Sequence, residues 1–326
     1  MNKSIVVTYR ASEVEQARFE AILGGEAPLI YLAEIPASHR NQALEEAFVL
    51  LAWNFPQEIG QEDYPSLKQV ALIQLVTAGV DHVPFAHLPA KMIVASNAGA
   101  YAAPMAEHVV AMTLALAKRL LAEQKKMQNG LFDDETHNRS LKGLTAGILG
   151  FGGAGRATAR LMRAFGMHIY AINSSGKSPE TVDFIGTVRE LEYVLRESDV
   201  VVLTLPLSRA TKGLIGQKEL SWMKPDAVLI NVARGALVDE EALYQHLKEH
   251  PSFSAGIDTW WEEPLRGGPF RMKYPFLDLS NVLGSPHNSA LVPEVIGTAA
   301  EQAAANVKRF LDGEQITGVV PREAYL

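Results

Sequence analysis

Short apolar runs alternate with longer mixed stretches along most of the chain. In the first hundred residues the runs SIVVTY (4–9), FVLLAW (48–53), QVALIQLV (69–76) and KMIVAS (91–96) are rich in β-branched and aliphatic residues and predict buried strands. Helix-compatible segments at 13–23 and 38–47 lie between some of them, so the order predicts a parallel sheet with covering helices. Pro104 suits the first turn of a long helix, because its missing N–H would have no partner there. Met105, Val109, Met112, Leu116 and Leu120 place apolar residues on more than one side of that helix. This predicts a helix buried all round, within the chain or against a second subunit. After a polar loop at 129–140 the alternation starts afresh, with strands at 145–150, 168–173, 199–206, 226–233 and 253–258 and helices at 154–165, 188–198 and 239–250. This second unit reads as a fuller doubly wound sheet. A final helix, 293–311, is placed to pack back on the first unit and make it discontinuous.

Composition narrows the classes. A chain of 326 residues is long enough for two cores. Net charge is −7, from 30 basic and 37 acidic residues with no basic run, which argues against a nucleic-acid partner. The absence of cysteine excludes disulfides, thiolate metal sites and a cysteine nucleophile, and no metal is expected. The start turns polar within about ten residues, unlike a signal peptide. No apolar run is long enough for a bilayer, so a cytoplasmic protein without a membrane partner is expected.

GILGFGGAGRAT (147–158) raises the first chemical question. An apolar strand runs into Gly150-x-Gly152-x-x-Gly155 and a helix leaves it, the context in which this spacing cradles a dinucleotide. Gly150 permits the tight turn, Gly152 the approach of a pyrophosphate, and Gly155 close helix–strand packing. Ala154 belongs to the same cofactor-binding turn, whose free N–H groups and helix dipole favour phosphate. An NAD site should carry Asp or Glu at the end of the next strand, whereas this chain has Asn173 followed by Ser174, Ser175 and Lys177. A carboxylate would repel a 2′-phosphate, and hydroxyls with a lysine charge would bind one. NADP is therefore favoured over NAD. The competing reading keeps NAD, with Asn173 in the place of Asp and SSGKS a solvated turn.

Three stretches, NVARGALVDEEAL (231–243), AGIDTWWEEP (255–264) and SPHNSA (285–290), carry a family likeness. With LTLPLSRATKGLIG (203–216), AEHVVAMTLALAKR (106–119) and the glycine turn, the chain resembles the D-isomer-specific 2-hydroxyacid dehydrogenases. The likeness covers nearly the whole chain, more loosely over the first hundred residues. It implies an α/β fold class with two doubly wound parallel-sheet domains and a cleft between them. A Rossmann cofactor domain is expected over 100–285 and a flavodoxin-like substrate domain over 1–99 and 286–326, with a hinge near Ala98-Gly99 and Ser285-Pro286. The resemblance makes Arg234 the substrate anchor, His287 the general acid/base and Glu263 its paired carboxylate. It puts Asp258 against the nicotinamide carboxamide, and Leu205, Pro206 and Ala233 beside the cofactor together with His287. The amides of Val76, Ala78 and Gly79 are expected to hold the substrate carboxylate.

These residue types suit the chemistry. Reduction of a 2-keto acid needs hydride at carbon and a proton on oxygen, which an imidazolium donates near neutral pH. A carboxylate beside an imidazole orients the ring and favours its protonated form. Arginine offers paired planar donors for a carboxylate and a carbonyl oxygen, which lysine lacks. The expected reaction interconverts a small 2-keto acid of glyoxylate or hydroxypyruvate type and its D-2-hydroxy acid, in a homodimer. Trp53, Trp260 and Trp261 predict an aromatic wall favouring a small or apolar substrate tail. No further arginine is suited to a substrate phosphate. Of the other histidines, His82 is a minor candidate near the expected pocket, and the rest, His108 included, read as structural or exposed. A dinucleotide-sensing corepressor-like protein, or a phosphite or other small-anion dehydrogenase, are the alternatives. Formate enzymes of this family carry Gln where Glu263 stands, which argues against formate.

Overall fold

The computed structural model describes residues 4–264 and 268–326. The chain divides into two units, Met1–Tyr101 with Val292–Leu326, and Ala102–Leu291.

In the first unit β1 (Ser4–Val7), β2 (Leu29–Tyr31), β3 (Ala47–Ala52), β4 (Leu72–Leu75) and β5 (Ile93–Ala95) form a parallel sheet in the order β2-β1-β3-β4-β5. This is the flavodoxin-like order. Parallel strands linked by helical crossovers are covered on both faces, which is why they read as continuous apolar runs. One face packs Phe19 and Leu23 of α1 (Glu13–Leu23) and Ala300, Ala303, Ala304 and Val307 of α10 (Pro293–Leu311) onto Ile5, Val7, Val49, Leu51 and Leu72. The other face carries Leu44 of α2 (Arg40–Glu46) and Phe55 of α3 (Phe55–Glu58) over Val6, Leu50 and Ile73. A capping box starts α1: the Ser12 hydroxyl accepts from Glu15 N, and the Glu15 carboxylate accepts from Ser12 N at 2.8 Å.

In the second unit β6 (Thr145–Leu149), β7 (His168–Ile172), β8 (Phe184–Gly186), β9 (Val200–Leu203), β10 (Val228–Asn231), β11 (Ser254–Ile257) and β12 (Val282–Gly284) are all parallel. Their order is β12-β11-β10-β9-β6-β7-β8, so the winding reverses between β6 and β9. A crevice at the carboxyl ends of those two strands is where such sheets bind ligands. The helices are α4 (Ala102–Ala117), α5 (Leu120–Gln128), α6 (Gly153–Ala164), α7 (Leu191–Glu197), α8 (Gln217–Trp222) and α9 (Glu240–Glu249). Val109 and Met112 of α4 pack with Ile148, Val228 and Ile230 of the sheet. Among the described residues no helix is long and apolar enough to cross a membrane.

Two expectations are corrected. The long helix breaks at Arg119, which has φ 53°, and a shorter helix follows. Within the single chain Val109 and Met112 are covered, Val110 and Leu114 are half-buried, and Leu120 and Leu121 are 56% and 50% exposed. Residues 286–291 group with the second unit rather than the first. The reason is local, because the amides of Asn288 and Ser289 donate to the Asp258 carboxylate just beyond β11.

Candidate active site

The glycine turn lies between β6 and α6, at the switch point of the second sheet. Gly150 has φ +99°, and a Cβ there would collide with the backbone of Thr204 and Leu205 just beyond β9. A Cβ on Gly155 would strike the Gly150 carbonyl. Thr204 Oγ1 donates to that same carbonyl at 2.6 Å and so ties the turn to β9. Gly152 caps α6 without a side-chain hydrogen bond, and a Cβ there would point into open space. The first-turn amides of a helix, those of Gly153, Ala154 and Gly155 here, have no intrahelical partner. An open, uncapped helix start reached through glycine fits a dinucleotide pyrophosphate. The backbone of Leu205 lies against this turn, and Pro206 follows it in sequence.

Asn173 ends β7, but its amide is engaged in folding its own loop. Its Oδ1 accepts from Ser175 N (3.1 Å) and Gly176 N (2.7 Å), and its Nδ2 donates to Lys177 O at 2.8 Å. Ser174, Ser175 and Lys177 are exposed on that loop.

The candidate acid/base group sits beyond β10, β11 and β12. His287 Nδ1 lies 2.7 Å from Glu263 Oε2. The other oxygen, Oε1, accepts the backbone N–H of Trp260 at 3.0 Å. Partial burial works to raise the Glu263 pKa, but the hydrogen bonds from His287 and Trp260 and the charges of His287 and Arg234 prevail and lower it. The carboxylate therefore stays ionised at neutral pH. Arg234 follows β10 in extended conformation, and its Nη1 donates to Ala233 O at 2.7 Å. Asn231, at the end of β10, shapes this turn: its Nδ2 donates to Arg234 O and its Oδ1 accepts from Ala233 N. A Cβ on Gly235 would collide with the Trp260–Trp261 peptide, so the arginine turn lies directly against the turn that bears Glu263. The second unit thus gathers an imidazole, a carboxylate and a guanidinium whose charges act on one another.

Three expected roles meet different surroundings. The Val76 N–H donates to Ala52 O at 2.8 Å, so it is not offered to an anion, whereas Ala78 is exposed and Gly79 half-buried. The Asp258 carboxylate is fully buried and accepts from Ser285 Oγ, Asn288 N and Ser289 N, so it faces its own loop. Trp260 is 8% exposed and packs on Phe270 and Phe276, so it is core rather than pocket wall. Its indole donates to Ser285 O, and the Trp261 indole donates to Val238 O. Asn231, Ser285 and His108 are missed by motif reading, because their partners lie across loops or on distant elements.

The family model described as D-isomer specific 2-hydroxyacid dehydrogenase, NAD binding domain, matches residues 110–289. The chain is 30% identical to the glyoxylate reductase of Pyrococcus furiosus, over 91% of this chain and 96% of that one. It is 33% identical to the glycerate dehydrogenase of Methylorubrum extorquens, over 76% and 78% of the two chains. The solved glyoxylate reductase of Paecilomyes thermophila matches with a TM-score of 0.81 at 25% identity, covering 99% of each chain. The chain belongs to the D-isomer-specific 2-hydroxyacid dehydrogenase family. It is an NAD(P)-dependent oxidoreductase acting between keto acids and hydroxy acids.

Proposed function

We propose that the protein reduces a small 2-keto acid of the glyoxylate or hydroxypyruvate type to its D-2-hydroxy acid, with NADPH preferred to NADH. The observation that carries this reading is the 2.7 Å pair of His287 Nδ1 and Glu263 Oε2 in one unit with the Arg234 turn. A bound nicotinamide dinucleotide supplies the hydride. Glu263 holds the imidazole by Nδ1, which leaves Nε2 to deliver a proton to the substrate carbonyl oxygen. Arg234 binds the substrate carboxylate and polarises that carbonyl through paired donors. In the first unit, the Ala78 and Gly79 amides keep the carboxylate-binding role implied by the resemblance.

The glycine turn, with Gly150, Gly152, Ala154 and Gly155, would hold the pyrophosphate, and Leu205, Pro206 and Ala233 would flank the cofactor. Asn173 supports the coenzyme preference. An aspartate there would set an anionic oxygen against the Lys177 carbonyl, where the amide now donates. The amide suits this loop better than a carboxylate, and the exposed Ser174, Ser175 and Lys177 would bind a 2′-phosphate. The glyoxylate reductase and glycerate dehydrogenase relatives support the substrate class. We further read the protein as a cytoplasmic homodimer, on the exposed apolar side chains Leu120, Leu121, Met127, Leu131 and Phe132 of the second unit.

The test follows oxidation of NADPH and NADH with a panel of 2-keto acids, in wild type and His287→Ala. Glyoxylate and hydroxypyruvate should turn over best, NADPH should give the higher kcat/KM, and the variant should lose about 100- to 10,000-fold in kcat. Full activity of the variant would remove the assigned role of His287, and a clear NADH preference would reverse the coenzyme assignment.

A further inference from the structure

His287 adopts φ 52°, in the left-handed region that is uncommon for a non-glycine residue, and its surroundings hold it there. Those surroundings converge on Ser285, two residues upstream. Ser285 N donates to Ile257 O at 2.9 Å, which fixes the exit from β12 against β11. Ser285 Oγ donates to the buried Asp258 Oδ1 at 2.5 Å. His108 Nε2, reaching from α4, lies 3.0 Å from the same Oγ. Because that hydroxyl gives its proton to Asp258, it can only accept from His108, so His108 carries hydrogen on Nε2. Ser285 O accepts the Trp260 indole N–H at 2.9 Å. Downstream, His287 N donates to Asp258 O at 2.8 Å, and the next two amides reach the Asp258 carboxylate. Trp260 has a second link, since its backbone N–H holds Glu263 Oε1 at 3.0 Å. One tryptophan therefore grips the strand exit leading to His287 and the carboxylate paired with it.

We propose that Ser285, clamped between His108, Asp258 and Trp260, is the centre of a positioning network that fixes His287 and Glu263 for proton delivery. His108 and Trp260 are positioning residues in it, acting through Ser285 and, for Trp260, also through Glu263. The inference rests on the acid/base reading of His287. A small displacement of a reacting group lowers rate steeply, whereas the pyrophosphate of the dinucleotide is assigned to the glycine turn after β6, four strands from β12 in the sheet. The network therefore acts on kcat rather than on coenzyme affinity.

The experiment compares Trp260→Phe, His108→Leu, His108→Gln and His287→Ala in the full-length protein. Steady-state kinetics with NADPH and glyoxylate are paired with NADPH binding by calorimetry and with thermal unfolding. Trp260→Phe keeps an aromatic ring and deletes only the indole donor, and His108→Gln keeps an amide donor for Ser285. We expect kcat to fall about 10- to 100-fold in Trp260→Phe and His108→Leu, with NADPH affinity and the KM for glyoxylate near wild type. His108→Gln should recover most of the rate. Wild-type kcat in both Trp260→Phe and His108→Leu overturns the proposal, as does a loss of NADPH affinity in step with kcat. Should Trp260→Phe fail to fold, the two His108 variants decide alone. Retained turnover in His287→Ala would instead sink the acid/base reading itself.

Discussion

Arg234 and Glu263 show how single side chains are tuned for the reaction. The arginine leaves β10 through a turn braced by Asn231, and Gly235 lets that turn lie against Trp260 and Trp261. Position alone does not explain the residue type. A lysine there would keep the charge but offer a point donor where a carboxylate and a carbonyl oxygen call for a planar pair. Arg234→Lys should therefore retain the fold and NADPH affinity yet lose about 100-fold in kcat/KM for glyoxylate, by loss of charge-assisted paired hydrogen bonds. An unchanged kcat/KM would remove Arg234 from substrate recognition. The motifs made both residues legible in the sequence. The bracing by Asn231 was not legible, because a side chain that bonds its own turn leaves no periodic signal.

Among the elements, strands of four or more residues in the second sheet announce themselves as apolar runs, since a parallel sheet is covered on both faces. The edge strands β2, β8 and β12 span three residues each and go unread, whereas the equally short edge strand β5 lies within the KMIVAS run. The break between α4 and α5 was hidden because Arg119 takes the left-handed turn without glycine or proline to mark it. The Val76 amide looked available in sequence and is engaged by β3 in three dimensions. Helix α9 holds a feature that periodicity also conceals. His246 stacks on His250 with ring centroids 4.2 Å apart and meets Phe253 edge-on. Burial, with a smaller push from the His250 charge, lowers its pKa to about 4. The folded state thus resists a proton that the unfolded chain accepts near pH 6.5. His246 is neutral-compatible above that value, and stability is lost as pH falls from about 6.5 towards 4. His246→Phe should shrink the drop in Tm between neutral and mildly acidic buffer by about 2–4 °C. An identical pH dependence of Tm in the variant would rule this out.

At the scale of the whole molecule, the proposed homodimer would use apolar surface on the second unit. Phe132 is 78% exposed, Met127 65% and Leu131 55%, close in sequence to the exposed Leu120 and Leu121. Stable dimers bury about 800 Å² on each subunit. Introducing charge with Leu121→Asp and Phe132→Asp should move the mass found by light scattering from two chains to one. A wild-type protein that already runs as one chain at micromolar concentration would contradict the homodimer.

The first unit draws one face of its sheet core from both ends of the sequence. Ile5, Val7, Val49, Leu51 and Leu72 are covered in part by Ala300, Ala303, Ala304 and Val307 of α10. During translation the second unit, made of contiguous residues, is released whole while the earlier strands still lack their lid. A nascent chain therefore carries an uncovered aliphatic surface until α10 has left the ribosome, and transiently exposed surface of that kind is prone to aggregate.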